Sequence, residues 1–203
     1  KVLDDPALDA VFIAAPNFWH TPAAVLAMQA GKHVYVEKPG SQNPHEAELI
    51  VAASRKHKRL VQMGNQRRTW MREAIEALHA GPIGNVRYAR AFYYNRRPAV
   101  PRADAAPPAG LDLDLWQGPV ADEPGRDIRR FVHYDWHWLW HWGNGELGNN
   151  GVHLLDILRW GLKARYPERV TYNGGRYWHR DEQETPDTGT AVYDFGASGA
   201  EWV

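Results

Sequence analysis

Apolar residues run first in short unbroken stretches and then at helical spacing. Asp9-Ala10-Val11-Phe12-Ile13-Ala14-Ala15, stopped by Pro16-Asn17, predicts a fully buried strand. Thr21-Pro22 predicts a helix start, with threonine at the cap, proline at the first helical position and a glycine stop near Gly31. His33 to Val36 predicts a second strand. Asn43-Pro44-His45-Glu46 reads as a cap with a glutamate three residues on, opening a helix to about His57. Arg59 to Met63 predicts a third strand, closed by Gly64-Asn65, and a helix is expected from about Met71 to His79, ended by Gly81-Pro82. Strands alternating with helices over short links imply a parallel sheet covered on both faces.

Beyond Pro82 the period changes. Asn85 to Tyr94 partly alternates, as a strand with one wet face does, and a Pro-, Ala- and Asp-rich loop follows from about Arg96 to Pro124. Val170 to Tyr177 and Thr190 to Phe195 predict further strands, and Glu201-Trp202-Val203 starts another. The expected class is α/β: the C-terminal half of a doubly wound parallel (Rossmann-type) sheet over residues 1–82. An α+β domain with a largely antiparallel open sheet is expected over 83–203.

Composition narrows this little. Among 203 residues, Lys plus Arg and Asp plus Glu both number 24, so no charge excess points to nucleic acid. No apolar run is long enough to span a membrane as a helix. The absence of cysteine excludes disulfides and thiolate metal sites and leaves the compartment, cytoplasmic or exported, open. Ten tryptophans, mostly in the second half, suit a core, an interface or a sugar face equally.

Candidate chemistry lies at two places. Glu37-Lys38-Pro39 ends the second strand, and the proline biases Lys38 towards extended backbone. Its ammonium then stands at the carboxyl edge of the sheet, where open α/β folds bind ligands. The second place comes after Gly143-Asn144-Gly145-Glu146-Leu147-Gly148, which matches a dinucleotide fingerprint letter for letter. The preceding run is too polar and too rich in tryptophan for a buried parallel strand, so that match is rejected. On a helix, Asn149, His153, Asp156 and Trp160 would share one face and line a polar pocket, or form a local surface pair. His133, His137 and His141 recur every four residues, but aromatic packing or a sugar wall accounts for that tract more simply than a metal, and no metal is expected.

Together, Val36-Glu37-Lys38-Pro39 and Gly143-x-Gly145-x-Leu147-x-x-x-Gly151-x-His153-x-x-Asp156 resemble the Gfo/Idh/MocA oxidoreductases. Ala15 to Pro22, Gly64 to Arg68 and Asp187-Thr188 extend the resemblance over essentially the whole chain. It implies a bound NAD or NADP faced by Pro16, Asn17, His20, Glu37 and Lys38. Lys38, His153 and Asn149 would be catalytic, with a carbohydrate or cyclitol substrate near Arg67, Trp138 and Asp156. It also implies self-association as a dimer or tetramer. The family's glycine loop is expected upstream of Lys1, and Asn149 stands where relatives often carry an aspartate. That amide cannot take a proton, so His153 is expected to move it while Lys38 polarises the reacting oxygen. The asparagine form also resembles the branch with NAD-dependent glycosidases, which oxidise a sugar transiently and then eliminate. A non-catalytic sugar-binding or assembly relative is the third expectation.

Overall fold

The computed structural model describes residues 1–102 and 107–196. Contacts gather these into two compact units, each drawing on separate stretches of chain. The first comprises 1–64, 98–149 and 181–185, and the second 65–97, 150–180 and 186–203 as far as these are described. The strand start expected at Glu201 lies outside the described residues.

In the first unit, strands β1 (Ala10–Ile13), β2 (His33–Val36) and β3 (Val61–Met63) form a parallel sheet in the order β1-β2-β3. The links are helices α1 (Asn17–Gln29) and α2 (Pro44–His57). Right-handed crossovers between strands added in one direction put both helices on the same face. There Ala24, Ala27 and Met28 of α1 and Ile50 and Ala53 of α2 bury Ile13, Val34 and Val36. The opposite face carries Tyr35 and Phe12, which stack at 4.7 Å, with Phe12 81% exposed. The expectation of a sheet covered on both faces, and of a fully buried first strand, is corrected here: strand order assigns both crossovers to one side.

The α2 start agrees with the sequence. Asn43 Oδ1 accepts from the Glu46 amide at 3.0 Å, and Glu46 Oε2 accepts from the Gln42 amide at 2.9 Å. Helix α1 departs from it, beginning at Asn17 with Pro22 inside the helix rather than at its first position. Phe18, His20 and Thr21 are all buried, so tertiary packing holds the extra turn against the proline's lost hydrogen bond.

Residues 98–149 surround a second, aromatic core of the same unit. Phe18, Phe131, Val132, Trp136, Trp138, Leu139 and Trp142 are all buried in it. Trp19 Nε1 reaches the carbonyls of Leu115 and Trp116 on the short helix α4 (Leu113–Gln117) at 3.2 and 3.0 Å. A strap, residues 181–185, closes this core: the Glu184 and Thr185 amides bond Trp138 O, and Thr185 is fully buried.

The second unit pairs helix α3 (Arg67–His79) with α5 (Val152–Leu162) and contains an antiparallel hairpin of β4 (Arg169–Gly175) and β5 (Thr188–Asp194). Ile75 and Leu78 pack on Gly161, where an added Cβ would already stand 3.4 Å from Leu78. The alternating stretch 85–94 joins no strand. Tyr88, Phe92 and Tyr94 are exposed, and the Arg90 guanidinium lies over the Tyr88 and Phe92 rings. Alternation describes which face a strand would bury; a ladder also needs a partner, and none adjoins this stretch among the described residues.

Candidate functional site

The carboxyl ends of β1 and β2 bring together most of the residues expected at the cofactor. His20 sits inside this edge, 1% exposed, with Nδ1 2.5 Å from Pro39 O and Nε2 2.8 Å from Ala15 O. It ties the two strand ends to each other and does not line a groove. Thr21 Oγ1 adds a bond to Gly40 O at 3.3 Å. Asn17, also buried, donates from Nδ2 to Asn144 Oδ1 at 3.0 Å, and Asn144 Nδ2 reaches Gln42 O at 2.7 Å. The loops after both strands are thus fastened to the glycine-rich segment more than 100 residues later in the chain.

Lys38 is the charged group at this edge. Its Nζ donates to Asn149 O at 2.7 Å and to Asn149 Oδ1 at 2.8 Å. The Glu37 carboxylate accepts from the Lys38 amide at 3.2 Å, bracing the loop. Asn149 lies in a π-helical turn, Leu147–Gly151, that precedes α5. The single face expected for Asn149, His153, Asp156 and Trp160 is therefore broken, because a π turn shifts the helical phase of the residues after it. Asn149 belongs with Lys38 in the first unit, whereas His153, half-buried on the first turn of α5, belongs to the second.

The glycine motif does not cradle a phosphate. A Cβ on Gly143 would stand 2.3 Å from His137 O, and one on Gly145, whose φ is +62°, would stand 2.7 Å from Thr185 Cβ. The chain's own backbone and strap occupy the space a pyrophosphate would need. The strand edge instead presents the Lys38 ammonium, braced by Asn149, as a hydrogen-bond donor for a polar group.

Two of the three residues expected at a substrate are engaged elsewhere. Trp138 is 2% exposed within the aromatic core and offers no face to a sugar; of the tract's four tryptophans only Trp140, 57% exposed, reaches solvent. Asp156 receives Arg68 Nε and Nη2 at 2.8 and 2.7 Å, and the Arg68 guanidinium also lies 5.1 Å over the Trp160 ring. The hydrogen bond to Asp156 raises Arg68 above the usual guanidinium value, against the opposing pull of burial. Asp156 thus clamps α5 to α3, and His79 seals the far end by donating Nε2–H to Trp160 O at 3.0 Å. Arg67, beside Arg68 at the start of α3, is half-buried.

Among the described residues no three His, Asp or Glu side chains gather to hold a metal. His137 and His141 instead face the carbonyls of Tyr134 and Ala121 at 2.6 and 2.7 Å. In the hairpin, burial would raise Asp187. The amides of Tyr177 and Trp178, the Thr188 hydroxyl and the Arg176 guanidinium outweigh it and hold the carboxyl at about 2. No helix among the described residues is long and apolar enough to cross a membrane.

Sequence reasoning missed Tyr134, whose hydroxyl accepts from Asn149 Nδ2 at 3.2 Å. No local signal marks it, because only the fold places it against a residue 15 positions away.

Residues 1–65 match the Gfo/Idh/MocA family model, an oxidoreductase family with an NAD-binding Rossmann fold. Levoglucosan dehydrogenase of Pseudarthrobacter phenanthrenivorans is 34% identical over 86% of this chain and 41% of its own length. The NADP-dependent scyllo-inositol 2-dehydrogenase of Bacillus subtilis is 41% identical over 42% of this chain and 26% of its own. In fold, the chain resembles the WlbA dehydrogenase of Bordetella pertussis, solved with NADH and UDP-GlcNAcA. The TM-score is 0.69 at 21% identity, covering 98% of this chain and 50% of that one. The chain thus spans half or less of each of these relatives.

Proposed function

We propose that the protein carrying this chain is a member of the Gfo/Idh/MocA oxidoreductase family, whose model its residues 1–65 match, and that it oxidises a secondary hydroxyl of a sugar or cyclitol with NAD or NADP. The observation that carries the reading is the Lys38 ammonium, held by both oxygens of Asn149 at the carboxyl edge of the parallel sheet. The relatives named as sugar and inositol dehydrogenases support the substrate class.

Bound nicotinamide supplies the hydride acceptor. Lys38 donates a hydrogen bond to the reacting oxygen and stabilises the negative charge that develops there. Asn149 holds the ammonium in place and takes no proton. His153 accepts the hydroxyl proton, a task suited to a side chain that titrates near neutrality. Pro16, Asn17 and Glu37 shape the cofactor-facing edge, with His20 as its internal strut, and Arg67 stands towards the substrate. Residues 1–82 contribute the dinucleotide side and residues 83–203 the substrate and self-association side, although the compact units draw on both stretches. The protein acts as a homo-oligomer.

The glycosidase reading keeps Asn149 in its favour but loses the tryptophan wall, since Trp138 is core. The test gives the full-length protein NAD or NADP with a panel of sugars and cyclitols and monitors reduced nicotinamide. Net reduced cofactor formed in step with product, and lost in Lys38→Met with the fold intact, is the expected result. Aglycone release without net reduced cofactor would replace this reading with the glycosidase one. No turnover of any substrate by a folded, cofactor-binding protein would sink both.

A further inference from the structure

The hydrogen bonds around Asn149 fix the direction of its amide. A lysine ammonium only donates, so the oxygen at 2.8 Å from Lys38 Nζ must be Oδ1. The Nδ2 group then points the other way, to the Tyr134 hydroxyl oxygen at 3.2 Å. The Tyr134 ring is itself held. The Arg102 guanidinium lies 5.1 Å over its face, and the His137 ring packs at 4.5 Å. Arg102 is anchored by Asp135, 2% exposed, which accepts from the Arg102 amide at 2.8 Å and from Nε at 3.1 Å. A cation over the ring, anchored by a buried carboxylate, thus supports one hydroxyl.

We propose that Tyr134 is a positioning residue of the Lys38 site: its hydroxyl holds the Asn149 amide so that Oδ1 faces the ammonium. The inference rests on the reading of Lys38 as catalytic. Without the hydroxyl Nδ2 loses its acceptor, the amide keeps only its Lys38 anchor, and the bond from Lys38 Nζ to Oδ1 is held less firmly. The backbone oxygen of Asn149 remains, so the ammonium is loosened and not released. An aspartate at this position would present two equivalent oxygens and need no such partner. Tyr134 therefore reinforces, at an asparagine, the orientation that a carboxylate would not need.

The test uses the full-length protein without cofactor. The rate of acylation at Lys38 by N-hydroxysuccinimidyl acetate is read by mass spectrometry against exposed Lys163. Tyr134→Phe keeps the ring and is expected to speed Lys38 acylation about 3- to 10-fold, the range that one net hydrogen bond commands. Asn149→Ala speeds it as well. Adding Tyr134→Phe to Asn149→Ala is expected to change the rate by less than about 1.5-fold, because the tyrosine acts only through the amide. A Tyr134→Phe rate within about 1.5-fold of wild type, or effects that multiply in the double variant, would overturn the proposal. With a turned-over sugar, Tyr134→Phe lowers kcat and leaves KM near wild type. If wild type turns over nothing, the oxidoreductase reading fails while the acylation result still decides the role of Tyr134.

Discussion

Asp156 was expected at a substrate and instead clamps two helices, and that difference is measurable. Asp156→Asn removes the charge and leaves one oxygen for two guanidinium donors. Each donor bond to a carboxylate is charge-assisted, and such bonds contribute roughly 1.5–3 kcal/mol. The Asp156 side chain is 11% exposed, so water replaces little of what it loses. Arg68 is 48% exposed and rehydrates, which brings the expected net loss to about 2 kcal/mol, well short of a fully buried pair. Arg68→Met keeps the aliphatic stem against Trp160 and should cost about 2–3 kcal/mol, since it strands the Asp156 carboxylate. The double variant should lose little more than the worse single one, giving a coupling of about 1–2 kcal/mol. Urea unfolding of the four proteins measures the cycle, and at this chain length 2 kcal/mol corresponds to about 4–8 °C in Tm. A coupling under about 0.5 kcal/mol would refute the clamp. So would an Asp156→Asn protein of unchanged stability whose KM for sugar rises steeply.

Three further outcomes are expected. Trp138→Ala should cost about 3–5 kcal/mol by thermal or urea unfolding, whereas exposed Trp140→Ala should cost under about 0.5 kcal/mol; equal effects would return the tract to a surface role. Gly145→Ala meets both a positive φ and Thr185, and a loss of about 2–4 kcal/mol is expected in the same assay. Asp187 is depressed from 3.8 to about 2, so its contribution is complete above pH 4 and is lost as pH falls through 2. That contribution is at most about 2 kcal/mol at 1.36 kcal/mol per pKa unit. The stability gap between wild type and Asp187→Asn should therefore close between pH 4 and 2, and a gap that widens on acidification would contradict it.

What the sequence made legible was local chemistry. Asn43, Pro44 and Glu46 carry a cap within four residues, and α2 begins and ends where they predict. Strand β2 likewise coincides with its apolar run. Where the deciding contact is distant, reading fails. Pro22 looked like a first-turn residue because nothing nearby tells that Phe18 and His20 are buried. The tryptophan tract has the same letters whether it faces a sugar or Phe18. Residues 85–94 alternate correctly for a strand, but pairing depends on residues elsewhere. Lys38 and Asn149 lie 111 positions apart, and only resemblance to a family joined them in advance. Tyr134 belongs to no motif, so its part in that contact emerged only from the fold.

The strap at 181–185 has a consequence for how the chain comes into being. Gly145 closes on Thr185, Trp138 O receives the amides of Glu184 and Thr185, and Val100 O receives that of Glu182. The three strands and the two helices that link them lie within residues 1–64, yet the aromatic core of the same unit lacks its closure until residue 185 has emerged from the ribosome. Folding during synthesis can pair these three strands but cannot close the aromatic core, because its long-range contacts wait for residues 181–185. During that interval Phe18 and Trp19 stand without the closed aromatic core that packs against them in the finished unit.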